Sequence, residues 1–182
     1  MSTTTTPDRN STRGRGIPRR VLLPLALFLW LVGMPLLHGI LPWALSRLGP
    51  RYGWTAGYPG TWNWLGLIPI AAGTALLIGI FGSGLARVRE LPERVQILPP
   101  SFLITYGPYA YTRNPMYVGA LALWLGWAIL FGSLVVLLVF VVLMVGIILR
   151  LPGEERGLER QFGETYRQYQ ARVPRWLGRT RR

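Results

Sequence analysis

The chain has 182 residues, 51% of them hydrophobic and 15% charged, with no cysteine, one histidine and a formal net charge of +13. Its long uncharged runs exclude a soluble basic protein, the missing cysteines exclude a disulfide framework or thiolate metal site, and one histidine cannot form a histidine metal cluster. All 20 basic residues are Arg and they flank apolar segments, which suits anionic lipid headgroups as partners and not nucleic acid.

Residues 1–16 are rich in Thr, Ser, Arg and Gly without apolar periodicity, and are predicted to be a disordered cytosolic tail. The apolar run 21–45 is longer than a secretory core and lacks a small-residue cleavage site, so it reads as a retained membrane span. Pro24, Pro35 and Pro42 should bend or interrupt it, because each removes a backbone donor. His38 lies within it with no acidic neighbour and is expected to be a neutral, hydrogen-bonded packing residue. Residues 46–61 carry Gly, Pro, Tyr and Trp, as an interfacial loop does. A second span is predicted over 62–86, where Gly73, Gly79, Ser83 and Gly84 let another helix approach closely. Residues 87–100 then form a polar loop ended by Pro99 and Pro100.

Residues 107–119 read Gly-Pro-Tyr-Ala-Tyr-Thr-Arg-Asn-Pro-Met-Tyr-Val-Gly. Asn114 before Pro115 is a helix-start signal, the Asn side chain capping free amides and the proline sitting where no amide is needed. Such a helix end, among Tyr109, Tyr111, Arg113 and Tyr117, suits a ligand carboxylate or phosphate. From Met116 to Leu149 the chain stays apolar. One helix of that length would measure roughly 51 Å against a hydrocarbon core of about 30 Å, so a hairpin turning near Gly132 and Ser133 is expected. Beyond it, residues 153–172 form an amphipathic helix with Leu158, Phe162, Tyr166 and Tyr169 on one face.

Eighteen arginines fall in the N-terminal tail, the 87–113 loop and the C-terminal region, against two in the loop after the first span. The positive-inside rule then puts both termini in the cytosol, which requires an even number of spans. The predicted fold is an all-α integral membrane bundle of about four transmembrane helices with a C-terminal amphipathic cytosolic helix. Residues 1–18 are the tail, 19–94 the first two spans with their loop, 95–176 the functional core and 177–182 a basic tail. The expected location is a bacterial inner membrane. Folding of the hairpin brings residues 109–117 next to 150–155, which joins helix-start amides for an anion to Glu154 and Glu155 for a cation and to Arg150 for a second anion. Read alone, Arg150 with the two glutamates reads as an interfacial ion-pair cluster before it reads as a site.

Two motifs carry a resemblance. Gly107-Pro-Tyr-x-Tyr-x-Arg-Asn-Pro-Met-Tyr-Val-Gly119, followed after the apolar hairpin by Arg150-x-x-x-Glu154-Glu155-x-x-Leu158-x-x-x-Phe162-Gly163-x-x-Tyr166-x-x-Tyr169-x-x-Arg172-Val173-Pro174, resembles the isoprenylcysteine carboxyl methyltransferase family, which is similar to phospholipid N-methyltransferases. The resemblance covers about residues 95–176. It implies an integral membrane methyltransferase using S-adenosylmethionine, with Tyr109, Asn114, Pro115, Met116, Tyr117 and Glu154 at the cofactor. It also brings in Ser101, Leu103 and Ile104 as a further cofactor-contacting stretch, and Arg150 on the substrate side. Family members with eukaryotic substrates have His where this chain has Asn114, a side chain that does not titrate near neutrality.

Methyl transfer is an in-line displacement governed by positioning. A carboxylate acceptor needs only orientation, for which Arg150 is the candidate; an ammonium must first lose a proton, for which Glu155 or a tyrosine is the candidate. The expected substrate is a lipid or another apolar small molecule at the cytosolic interface. The alternatives are an NADPH-dependent membrane reductase of related architecture and a non-catalytic scaffold or transporter.

Overall fold

Proline placement shapes the first membrane helix in the computed structural model, which describes residues 17–87, 94–95 and 102–178. The helical run Arg20–Leu45 is continuous but changes pitch. Helix α1 (Arg19–Phe28) passes into a π-helical turn, Leu29–Gly33, a second π turn, Leu36–Ile40, and then α2 (Leu41–Leu45). Prolines at positions 24, 35 and 42 cannot donate to the carbonyls four residues earlier, and wider turns are one way a helix absorbs such gaps. The expected interruption is therefore a change of helical form and not a break.

The loop that follows is more ordered than an interfacial coil. Strands β2 (Trp54–Thr55) and β3 (Tyr58–Pro59) form a small antiparallel hairpin, and Ile17–Pro18 (β1) pairs with Arg94–Val95 (β4). A 3₁₀ segment, Thr61–Gly66, leads into α3 (Leu67–Ala86). After the polar connection, α4 (Pro115–Phe131) and α5 (Leu134–Phe162) form the hairpin, and α6 (Glu164–Arg172) closes the chain. Among the described residues three helical runs, Arg20–Leu45, Thr61–Ala86 and Leu134–Phe162, are long and apolar enough to cross a membrane; Pro115–Phe131 is a shorter apolar helix. The bundle is all-α in its core, as predicted.

Helix α4 is the centre of the bundle. Leu123, Trp124, Gly126, Ala128, Leu130 and Phe131 are buried, so it is apolar all round because protein surrounds it. Its closest partner is α3. A Cβ added to Gly73 would come within 2.7 Å of the Gly119 carbonyl oxygen, and one on Gly126 within 2.7 Å of that of Gly66. Backbones approach this closely only where side chains are absent, the usual device for helix pairs in lipid.

The hairpin turns where its length demanded. Gly132 caps α4 with φ +56 and Ser133 caps α5, its hydroxyl accepting from the Val136 amide at 3.4 Å. The segment between α2 and α3 satisfies the carbonyls left over at the α4 end. Asn63, fully buried, donates to Ile129 O at 2.9 Å and Tyr52 O at 3.2 Å while accepting from the Gly60 amide at 3.1 Å. The Trp54 indole donates to Leu130 O at 3.0 Å.

One boundary differs from expectation. Helix α5 does not stop near Leu149 and restart as an amphipathic helix over 153–172; it runs unbroken through Arg150 and Pro152 to Phe162. The break falls at Gly163, with φ +55 and ψ −127, a conformation that suits glycine. Although Pro152 and Gly153 are poor helix formers, Arg150, Leu151, Glu154, Glu155 and Arg156 around them are good ones and Arg150 pairs with Glu154 one turn on, so leaving the apolar stretch does not end the helix.

Candidate functional site

A 3₁₀ turn, Gly107–Ala110, leads toward α4. Asn114 stands at the N-cap position, but its side chain makes no capping bond. Its amide nitrogen donates instead to the carbonyl oxygen of Arg175 at 2.9 Å. That corrects the expected cap. The same carbonyl accepts from the buried Thr112 hydroxyl at 3.2 Å, and the Arg113 amide donates to Pro174 O at 2.9 Å. The segment after α6 thus straps the entrance of α4, and Pro115 is fully buried beneath it. Among the described residues no side-chain bond caps the first turn of α4, which leaves its leading amides and positive dipole end for an anion.

Folding of the hairpin brings the two motifs together. Tyr117 on α4 donates its hydroxyl to the Glu154 carboxylate on α5, at 2.9 and 3.1 Å to the two oxygens. Arg150, one turn earlier on α5, pairs with Glu154 at 2.6 Å. The side chains of Arg150 and Glu154 are 76% and 33% exposed, so both remain reachable from outside the bundle.

Glu155 has a different setting. It is buried, with Arg113 at 3.1 Å on one side and Arg175 on the other, the latter through both Nε and a terminal nitrogen. The hydrogen bond to Glu155 raises the Arg175 pKa above its usual value. The Arg113 contact is an ion pair by distance without hydrogen-bond alignment, since neither its Nε nor the Nη1 facing Glu155 has a hydrogen-bond partner. Both oxygens of this carboxylate are thus engaged by guanidinium groups. This geometry does not present Glu155 to a ligand as a proton acceptor.

The remaining predicted residues divide between two surroundings. Ile104, Tyr109 and Met116 line an apolar cavity of about 290 Å³ with Trp30, Phe81 and Tyr106. Leu103 packs instead on a cluster of Tyr166, Tyr169 and Val173. Ser101 lies outside the described residues. The Tyr169 hydroxyl donates to Tyr109 O at 2.7 Å, which ties α6 to the 3₁₀ turn. Burial raises the pKa of Tyr109, Tyr166 and Tyr169, so these phenols stay protonated at neutral pH. Sequence reading passed over Arg175, Thr112 and the structural role of Arg113. Arg113 and Thr112 stood inside the first motif, and Arg175 directly follows the last residue of the second, but neither motif shows that their ends meet.

The chain's kinship agrees with this arrangement. Residues 64–165, more than half of the chain, match the family model described as phospholipid methyltransferase. The protein-S-isoprenylcysteine O-methyltransferase of Schizosaccharomyces pombe is 42% identical over 73 residues, covering 40% of this chain and 31% of that protein. The matched stretch is therefore under a third of the relative's length. No solved structure gives a significant match. With more than half its length matched, and with Tyr117, Arg150 and Glu154 gathered inside the matched region, the chain belongs to the phospholipid methyltransferase family.

Proposed function

We propose that the protein is an integral membrane methyltransferase that uses S-adenosylmethionine and acts on a lipid or other apolar small molecule at the cytosolic membrane interface. The observation that carries this reading is the Tyr117–Glu154–Arg150 group at the mouth of the hairpin, on the same helix entrance whose Met116 lines the 290 Å³ apolar cavity. Polar recognition and room for an apolar tail then occur side by side.

The donor set suits the cofactor. Glu154 is an acceptor with a partly exposed carboxylate that can take an ammonium, and the uncapped first turn of α4 can take a carboxylate. When bound, S-adenosylmethionine supplies an electrophilic methyl carbon on a sulfonium centre. Tyr117 holds Glu154 in place, and Arg150 is exposed enough to orient an anionic acceptor. Tyr109, Ile104 and Met116 keep water from the apolar side.

The commitment of Glu155 to two arginines favours an acceptor that needs no base, such as a carboxylate oxygen. Membership in a methyltransferase family leaves the reductase and scaffold alternatives without support. The test is transfer of a radiolabelled methyl group to host membrane lipid extract, followed by identification of the labelled product. Label appearing only in an amine headgroup overturns the oxygen-acceptor reading, and no label in any fraction overturns the function.

A further inference from the structure

A second cavity, of about 310 Å³, is walled by Trp30, Leu77, Leu123 and Trp127 together with His38 and Thr74. His38 sits on the π-helical turn Leu36–Ile40. The helix end at Leu45 is seven positions on, so His38 lies roughly 10 Å inside that end of the span.

Two tryptophans hold this histidine. Pro42, four residues on, has no N–H to give the His38 carbonyl, and the Trp127 indole donates to that oxygen instead. The Trp124 indole donates to His38 Nδ1 at 3.1 Å. An indole nitrogen only donates, so Nδ1 must carry the lone pair and the neutral ring must carry its proton on Nε2. Among the described residues nothing accepts from Nε2, and the Thr74 hydroxyl likewise has no partner. Both residues line the same cavity. At membrane depth an idle imidazole N–H is costly, because no water replaces the missing acceptor, whereas Thr74, at an exposed position of α3, can also return its hydroxyl to a carbonyl of its own helix.

We propose that this cavity binds an uncharged lipid bearing a carbonyl oxygen within the hydrocarbon layer, of the prenylated or alkylated quinone class. The oxygen accepts from His38 Nε2–H and the Thr74 hydroxyl, with the ring beside the Trp30 and Trp127 indoles. No charged side chain lines the cavity among the described residues, so a charged headgroup would be desolvated without compensation. A phospholipid ester sits too near the bilayer surface to reach His38. A plain hydrocarbon chain would leave the His38 donor unmet. The inference is independent of methyl transfer.

The single histidine makes the test direct. Full-length protein carrying ¹⁵N-histidine, in detergent micelles, yields one imidazole spectrum. It is expected to report the Nε2-protonated tautomer, with a saturable shift of the Nε2 proton on titration with a decyl-substituted para-benzoquinone and none with decane. Thr74→Val, with an unchanged thermal melt, should weaken the quinone affinity about two- to tenfold, the loss of one neutral hydrogen bond. Trp30→Leu removes an aromatic wall without touching either bond to His38 and should weaken it as well. The proposal is overturned by an Nδ1-protonated ring, by equal shifts with quinone and decane, by no shift with either, or by unchanged quinone affinity in both variants.

Discussion

Tyr117 and Glu154 lie 37 positions apart in sequence, yet the tyrosine hydroxyl reaches both oxygens of the carboxylate across the α4–α5 hairpin. This contact joins the two motifs into one site and leaves a third of the glutamate side chain exposed. It also divides the labour between consecutive glutamates. Glu154 faces outward, and Glu155 faces inward to two arginines.

The first prediction follows from that division. Glu154→Gln removes the charge available to a ligand ammonium and should weaken S-adenosylmethionine binding by about 2 kcal/mol, roughly thirtyfold in Kd, at the low end for such pairs because the site is partly solvated. Arg150→Ala should change cofactor affinity less and acceptor affinity more. Calorimetric titration of both variants is the check. Equal cofactor affinity in the parent and the Glu154 variant would remove Glu154 from the cofactor site.

Asn114 gives the second. Because its side chain donates to the Arg175 carbonyl, Asn114→Ala and Asn114→Asp both lose that bond, and each should cost about 1 kcal/mol of stability. A capping role would leave the Asp variant at parent stability, since Asn and Asp cap equally well. The Asp variant should also bind S-adenosylmethionine more weakly, because it places a negative charge beside the amides offered to the carboxylate. Thermal melts and cofactor titrations in detergent separate the two effects.

The third concerns Glu155. Replacing it with Ala leaves the Arg113 guanidinium, 11% exposed, without its counter-charge. The expected cost is about 3–5 kcal/mol. Arg175→Ala should cost less, because that side chain is 43% exposed and water takes its place. Denaturant titrations measure both. A Glu155→Gln variant as stable as the parent but without methyl transfer would restore Glu155 as a proton acceptor.

Topology is the fourth. The chain has no native cysteine, so single cysteines report cleanly. Tyr111, Leu177 and Tyr58 are all well exposed. Cysteines at 111 and 177 should label from the cytosolic side, and one at 58 from the opposite side. Labelling of 58 and 111 from the same side would exclude the four-span arrangement.

Much of this architecture was legible in the sequence because its causes are local or one-dimensional. The apolar run after Pro115 was too long for one span and had Gly132 and Ser133 at its middle, so a turn was required there. The bundle class followed from unbroken hydrophobicity, and the approach of residues 109–117 to 150–155 followed from folding the hairpin. What tertiary structure alone decided was the use of each polar group. Asn114 had the chemistry of a cap, but the strap around Pro174 and Arg175 offered its amide a carbonyl that the linear pattern does not contain. Glu154 and Glu155 are adjacent and chemically alike; the helical rotation of about 100° between them sends one toward Tyr117 and the other toward Arg113. His38 is the same case: its proton location follows from Trp124, 86 positions away, and a through-space partner of that kind has no signature in local sequence.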